Sequence, residues 1–509
     1  MKKIVIIFTA FSLIAGLGCK KYLDVNVNPN QSTSADPSFV LPAALAVTVA
    51  QFYPGPTAHS GWLGSWSISG SFAISSTDFS TYKMTSSFGD GLWQTLYDNL
   101  EDYQYIIDKS AANGQPFLEG TARIMKAYNF HHLVDLFNDV PYADALKGAV
   151  SLRPTYSKGM AVYDSLFLEI QKGITLIKSA GTTVAKTSDI MFGSDQANQK
   201  DLWVQFANTV RLRMLLRMSE LPTKPAFFQP NIDLTKNEAA GFLATDALVQ
   251  PGYVNSTGKG NPFWQRFYDL SGGQVSSFGD FWAPSDFAVN FYRTNNDPRM
   301  SREFKPVGST TNFVGNKLGL PNGNPTNGNY SLFGPGVLVG PTAPAVMLLA
   351  AESDFLQAEA VVLGYIPGDA KALFQQGIVE SFRYLGVPGY QSAAVTYYSQ
   401  AGNTTVDFST ATTVLAKQTI ILRQKWAALN SINSFEAYSD YRRFDYLHTG
   451  TAPYPGPLGN TPFSASPYID IAKIPLRYKY PLSEFSKNPE NVSAEGTIDH
   501  QVNKIWWIR

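Results

Sequence analysis

Eight stretches of this chain repeat apolar residues at every third or fourth position, the spacing that gathers them on one side of an α-helix. Leu92, Leu96, Leu100, Tyr103 and Ile107 form the first stripe, which Trp93 and Tyr97 widen. Ile124, Tyr128, His131/His132 and Leu136 form the second. Trp203, Phe206, Val210 and Met214 mark the fourth. The spacing predicts helices over Leu92–Ile107, Thr121–Phe137, Tyr163–Ile177, Leu202–Met218, Ser353–Leu363, Asp369–Phe382, Val414–Leu429 and Phe435–Tyr446. The second stops at Asn138-Asp139-Val140-Pro141, where proline forbids another helical turn. Only Gly364-Tyr365-Ile366-Pro367-Gly368 separates the fifth from the sixth. Helices joined by short turns bury their stripes against one another, so the expected fold is mainly α, with tetratricopeptide-like helix pairs. No strict repeat marks the pairs.

Between the fourth and fifth helices the composition changes. Residues 221–340 are rich in Pro, Gly, Asn and Ser with scattered aromatics, as in Asn261-Pro262-Phe263-Trp264, Phe278-Gly279-Asp280-Phe281-Trp282 and Asn322-Gly323-Asn324-Pro325. Gln51–Ser87 has the same character, with Phe52, Tyr53, Trp62, Trp66, Phe72 and Phe79 among Gly, Ser and Thr. Pro453–Arg509 is Pro-rich and mostly irregular. The whole chain shares the bias: 33 Phe, 26 Tyr and 9 Trp make it 13% aromatic, while charged residues are 16% against roughly 25% in an average soluble protein. Such a chain is not disordered, and long ordered loops carrying rings are usually functional. Forty basic against forty acidic residues leave no electrostatic footprint for nucleic acid.

The single cysteine excludes a disulfide framework and any Cys-cluster metal site. Its position is informative. Lys2 and Lys3 precede the apolar run Ile4–Leu17, and Gly18-Cys19 follow. Fourteen apolar residues are short for a span and right for a secretory signal. The pattern is that of a bacterial lipoprotein: signal 1–18, then an acylated Cys19, although Gly16 stands where Leu is usual. More than one acyl chain gives a stable anchor. No later apolar run is expected to span a bilayer. Asp24, Asn26 and Asn28 suggest a calcium loop, but Pro29 and Ala35 occupy the places that need Gly and Glu.

Taken in order, several fragments resemble the SusD/RagB family of nutrient-binding outer-membrane lipoproteins of Bacteroidetes. They are Cys19-Lys20-Lys21-Tyr22-Leu23-Asp24, Trp93…Leu96-Tyr97, Leu133-Val134-Asp135-Leu136-Phe137-Asn138-Asp139-Val140-Pro141-Tyr142 and Trp203…Phe206-Ala207-Asn208-Thr209-Val210-Arg211-Leu212-Arg213. Asn296-Asp297-Pro298-Arg299-Met300, Asp354-Phe355-Leu356-Gln357-Ala358-Glu359-Ala360, Gln424-Lys425-Trp426, Tyr441-Arg442-Arg443, Ile474-Pro475-Leu476-Arg477, Tyr480-Pro481…Glu484 and Trp506-Trp507 continue the series. Asn138 and Thr209 depart from the commoner Gly and Ser. The resemblance covers nearly the whole mature chain. It implies a SusD-like α/α superhelix with a loop-rich ligand-binding lobe. It also implies a lipid anchor in the outer membrane facing the exterior, and a partner, a SusC-like TonB-dependent barrel for which the lipoprotein is a hinged lid. The expected division is 1–18 signal, 19–37 anchored segment and 38–509 one domain. Its scaffold would span about 88–220, 345–385 and 414–446, and its lobe about 221–340 and 447–509.

The resemblance implies recognition through the segment before the first long helix and through the mid-chain lobe. Those regions hold Trp62, Trp66 and Phe79, and Trp264, Phe281 and Trp282, the candidate ligand-binding residues. A flat ring offers area to the C–H face of a sugar at small entropic cost, and neighbouring polar groups fix the hydroxyls. An oligosaccharide is the favoured nutrient, ahead of a peptide. Trp203, Phe206, Arg211, Arg213, Phe355 and Glu359 read as core, the arginines answering buried carbonyls or carboxylates such as Glu352 or Glu359. His131, His132 and Asp135 invite a metal, but too few ligands share one helix face. No Gly-x-Ser-x-Gly elbow, His-Glu-x-x-His or phosphate loop occurs. Neither a catalytic residue nor a cofactor is assigned. The alternatives are a surface-tethered glycoside hydrolase, since two carboxylates suffice for one, and a scaffolding subunit without a ligand.

Overall fold

Asp36 starts the first helix by accepting hydrogen bonds from the amide and hydroxyl of Ser38, with Pro37 in the first turn, where its missing N–H costs nothing. The structure, a computed structural model, describes residues 35–69, 77–269, 273, 275–320, 329–445, 464–469 and 474–509. The signal, Cys19 and Asn322-Gly323-Asn324-Pro325 lie outside the described residues.

The helices that position the site are α1 (Pro37–Phe52), α2 (Thr57–Trp62), α3 (Asp90–Asn113), α4 (Pro116–Phe137), α5 (Gly159–Ser179) and α6 (Gln199–Arg217). Further along come α7 (Trp264–Phe267), α8 (Ser277–Phe281), α9 (Ala350–Val362), α10 (Ala370–Leu385), α11 (Val414–Leu429) and α12 (Ser434–Asp440). Every predicted helix is present, within a few residues at its ends. The last breaks into α12 and a π turn at Tyr441–Asp445. Among the described residues, four more helices of nine residues or longer lie where no stripe was read: α1, Phe228–Lys236, Asp286–Thr294 and Tyr390–Tyr398.

Successive helices pack as antiparallel neighbours, α3 on α4 and α4 on α5, with α9 on α10 and α11. Trp93, Leu96, Leu100, Tyr103 and Ile107 of α3 are all buried, as their stripe requires. Helix α4 is buried nearly all round, so it is the central rod. It meets α5 closely because Gly120 and Gly173 face each other. A Cβ on Gly120 would sit 2.7 Å from the Gly173 carbonyl oxygen, and one on Gly173 2.8 Å from that of Gly120.

One stretch corrects the sequence reading. Pro37–Trp62 is long and apolar enough, by length and composition, to cross a membrane. In the fold it is two helices, divided where Pro54 and Pro56 deny the backbone its helical hydrogen bonds. Leu41, Leu45, Val49 and Phe52 of α1 are buried, and the helix packs on α3 and α4.

The core is also ionic. Arg213 on α6 donates to Glu352 on α9 at 2.6 Å, and Arg217 donates to Asp135 at 3.0 Å and Glu436 at 2.6 Å. Asp135 also accepts from the Tyr163 hydroxyl and, at 2.8 Å, from the Trp507 indole. Arg443 grips Glu359 through two 2.7 Å hydrogen bonds. These pairs tie together helices far apart in sequence. Their net gain over apolar packing is small, but removing one partner strands a buried charge.

Sheet is sparse among the described residues, in four two-stranded pieces. Two matter here. Strand β1 (Trp66–Ile68) pairs antiparallel with β3 (Trp282–Pro284), and β2 (Ala247–Val249) with β4 (Ala345–Leu348).

Candidate ligand-binding site

The two aromatic loop segments meet at the first of these sheets. Trp66 lies opposite Pro284, Ser67 opposite Ala283 and Ile68 opposite Trp282. The Ser69 amide donates to the Phe281 carbonyl at 2.8 Å, and the Ser285 hydroxyl donates to the Gly64 carbonyl. Beside this join lies a cavity of about 390 Å³. Phe79, Phe88, Leu92, Phe281, Trp282 and Tyr478 give it apolar walls, and Gln51, Thr57, Thr77 and Arg266 give it polar ones.

Each wall is held from behind. The Thr77 hydroxyl caps the Asp78–Thr81 turn by accepting from the Ser80 amide at 3.2 Å, which presents Phe79. The Phe79 ring lies across Gly61 of α2, where a Cβ would come within 1.8 Å of its Cζ. The Phe79 carbonyl accepts the Trp62 indole N–H at 3.1 Å. Trp282 meets Phe79 edge to face at 4.9 Å, and Phe281 likewise at 4.9 Å. Ser276 caps α8 by accepting from the Gly279 amide at 3.0 Å. Tyr478 and His59 share a 2.9 Å hydrogen bond beneath the floor. Burial, reinforced by the Arg442 charge, holds His59 well below the usual imidazole range, so it is neutral. Arg266 on α7 donates to the Ala50 carbonyl in the last turn of α1 at 3.2 Å. Gln51 and Thr57 have no side-chain hydrogen-bond partner among the described residues. The cavity thus combines flat rings with free amide, hydroxyl and guanidinium groups, the mixture that small-molecule sites use.

Three of the six candidates, Phe79, Phe281 and Trp282, line this cavity together. Trp62 and Trp66 are corrected to core residues, for both are fully enclosed. Trp62 stacks on Phe88 at 5.6 Å. Trp66 donates to the Ser431 hydroxyl at 2.9 Å and is ringed by Phe263, Phe267, Phe278, Trp282 and Phe333. They are the posts on which the walls stand. Trp264 is half-buried outside the cavity, stacked on Tyr268 at 4.5 Å. Sequence reasoning missed Gln51, Phe88, Leu92, Arg266 and Tyr478. Leu92 begins the first helical stripe, but nothing in its spacing shows that the near end of that helix borders a cavity.

The metal and carboxylate readings meet the ionic core instead. His131, His132 and Glu436 bring ligand atoms within 4.8 Å of one another, but Asp135 is spent on Tyr163, Arg217 and Trp507. Arg213, Arg217 and Lys425 already face Glu436. Burial first, then those neighbouring arginines and the second imidazole, keep His131 and His132 neutral. A dication would join three cations, so the donor set does not fit one. Glu352 and Glu359 are fully buried in arginine pairs, away from the cavity.

The sequence matches the SusD-like family described as starch-binding and associating with the outer membrane, over residues 32–481. No curated protein matches the chain. A SusD homologue from Bacteroides uniformis superposes with a TM-score of 0.71 at 22% identity, covering 92% of this chain and 99% of that one. A SusD homologue from Bacteroides fragilis gives 0.73 at 19% identity, covering 94% and 100%. A chitin-binding SusD homologue from Flavobacterium johnsoniae gives 0.70 at 20% identity, covering 93% and 97%. The family match spans most of the chain and the fold agrees over more than nine-tenths of it, so the chain belongs to the SusD/RagB family.

Proposed function

We propose that the protein captures a glycan without altering it and hands it to a SusC-like TonB-dependent barrel in the outer membrane. The observation that carries this reading is the cavity at the β1–β3 join, where Phe79, Phe281 and Trp282 stand beside Gln51 and Thr57, whose side chains have no hydrogen-bond partner among the described residues. A pyranose has an apolar face and a polar rim, and this wall offers a counterpart to each. The chitin-binding relative and the starch-binding description of the family support a carbohydrate ligand. Acylation of Cys19 would tether the protein to the membrane with the site facing outward, and Cys19→Ala would release it into the soluble fraction. Modest affinity suits the role, because each delivery must end in release.

Calorimetric titration of malto- and chito-oligosaccharides into the full mature chain tests the reading. Binding should be present in the parent and fall about tenfold or more in Trp282→Ala and Phe79→Ala, with the folded spectrum kept. The oligosaccharides should be recovered at their original length after long incubation. Hydrolysis products would favour the glycosidase instead, and unchanged affinity in both variants would move the site elsewhere.

A further inference from the structure

Among the described residues that line the cavity, Arg266 is the one that is charged, and none is an acid. Elsewhere the fold answers its buried guanidinium groups with carboxylates: Arg213 with Glu352, Arg217 with Asp135 and Glu436, Arg299 with Asp297, Arg443 with Glu359. Others it answers with neutral oxygens: Arg211 with Gln171 and Asn208, Arg442 with the Asp135 and Leu476 carbonyls, and Arg477 with the Phe137 carbonyl alone. Arg266, half-buried, receives a single backbone carbonyl, that of Ala50. The negative end of α1 explains why a cation sits there. It does not explain the remaining N–H groups, which have no partner among the described residues. Partial burial presses its pKa downward, and no carboxylate among the described residues pairs with it. A guanidinium held by one edge presents its other edge as a planar fork, the shape that carboxylates and sulfate esters accept in parallel hydrogen bonds. Neutral hydroxyls could satisfy those donors but not the charge.

We infer that the pocket takes a sugar bearing an anionic group, a uronate carboxylate or a sulfate ester, bound by Arg266 while the ring rests on Phe79 and Trp282. This rests on the glycan-capture reading and narrows it to acidic glycans. Gln51 and Thr57 then serve the hydroxyls, and Arg266 sets specificity.

The test uses matched pairs on the full mature chain. Oligogalacturonides are titrated against their methyl esters, and sulfated galactan oligosaccharides against desulfated counterparts, with malto- and chito-oligosaccharides as neutral controls. One anionic probe should bind at least about tenfold tighter than its neutral twin, the charge-assisted pair being the difference. The advantage should shrink as salt rises, and the winning pair identifies carboxylate or sulfate. Arg266→Gln should bring the anionic probe down to the affinity of its neutral twin in the same variant, and Arg266→Lys should restore only part of the difference. If Arg266→Gln fails to fold, the matched pairs and the salt series on the parent still decide. Equal affinity within both pairs, or an advantage that survives Arg266→Gln, overturns the inference. If neutral oligosaccharides bind and lose affinity in Trp282→Ala while the anionic probes gain nothing, capture stands and the acidic specificity falls. Silence from every glycan overturns both.

Discussion

At the scale of single residues, the lesson lies in two tryptophans of opposite fate. Trp66 and Trp282 sit in segments of the same composition and touch each other at 5.9 Å, yet one is sealed and the other, at 8% exposure, forms a cavity wall. Trp66→Ala should cost about 3–5 kcal/mol, as loss of a large enclosed ring does, and would be seen as a lower urea midpoint. An unchanged midpoint would show that Trp66 is not a post. The sequence distinguishes ring from non-ring and loop from helix. It does not say which way a loop ring points, because that depends on partners such as Ser431 and Phe333 hundreds of residues away. The arginines were more legible, since Arg213 has found Glu352 as their types and helices suggested. Asp354 is a different case. Burial, then the charges of Glu380 and Asp246, push its carboxyl up to about 8. The folded state therefore keeps this proton at pH values where the unfolded chain has released it, and its contribution to stability declines as pH rises from about 4 to 8. Asp354→Asn should be more stable than the parent by about 1–2 kcal/mol near pH 8 and little different near pH 4. Equal urea midpoints near pH 8 would mean the carboxylate ionises freely.

At the scale of elements, amphipathic stripes carried the long helices because a helix half sunk in a core must repeat at its own period. Val414–Leu429 has the bounds its stripe gives. Helix α1 escaped for a physical reason: Pro42 interrupts it and the Pro54–Pro56 break follows, so the stretch looks like loop. Its own signals were present, Asp36 before Pro37 and then Leu41, Leu45, Thr48, Val49 and Phe52 on the buried side. The site depends on the short element next to it. Helix α2 can hold Phe79 against its flank only because residue 61 lacks a Cβ. Gly61→Ala should therefore drive the Phe79 ring from its place, at about 1–3 kcal/mol of strain, and weaken oligosaccharide binding while helix content stays constant. Circular dichroism and titration together check it, and full affinity in that variant would show that Phe79 does not form the ligand wall.

At the scale of the whole molecule, the mid-chain loops and the segment before the first long predicted helix meet through contacts that no local pattern announces, such as Ser285 with Gly64 across 221 residues. The regions of the site were legible and its closure was not, since β1 and β3 are three residues each, too short to show an alternation. The same long-range packing encloses charge and imidazole together, and this sets the response of the fold to acid. His59, His131 and His132 are all held well below the ordinary imidazole pKa, each by burial first and then by neighbouring cations. On unfolding, each regains its usual value near 6.5. Below that pH the unfolded chain binds protons that the folded one refuses. Stability attributable to these groups is intact above it and falls by up to about 1.4 kcal/mol per pH unit for each histidine as pH drops further. His131 is the cleanest probe, because neither ring nitrogen has a hydrogen-bond partner among the described residues and the ring is wholly enclosed. His131→Phe keeps a flat ring of similar size and removes one titrating site. Plotted against pH below 6, its unfolding free energy should fall more gently than that of the parent by one proton's worth of slope, while the two curves run parallel above neutrality. Parallel curves throughout would mean that His131 takes up its proton inside the folded core, and the Arg213, Arg217 and Glu436 cluster would then have to rearrange to admit it.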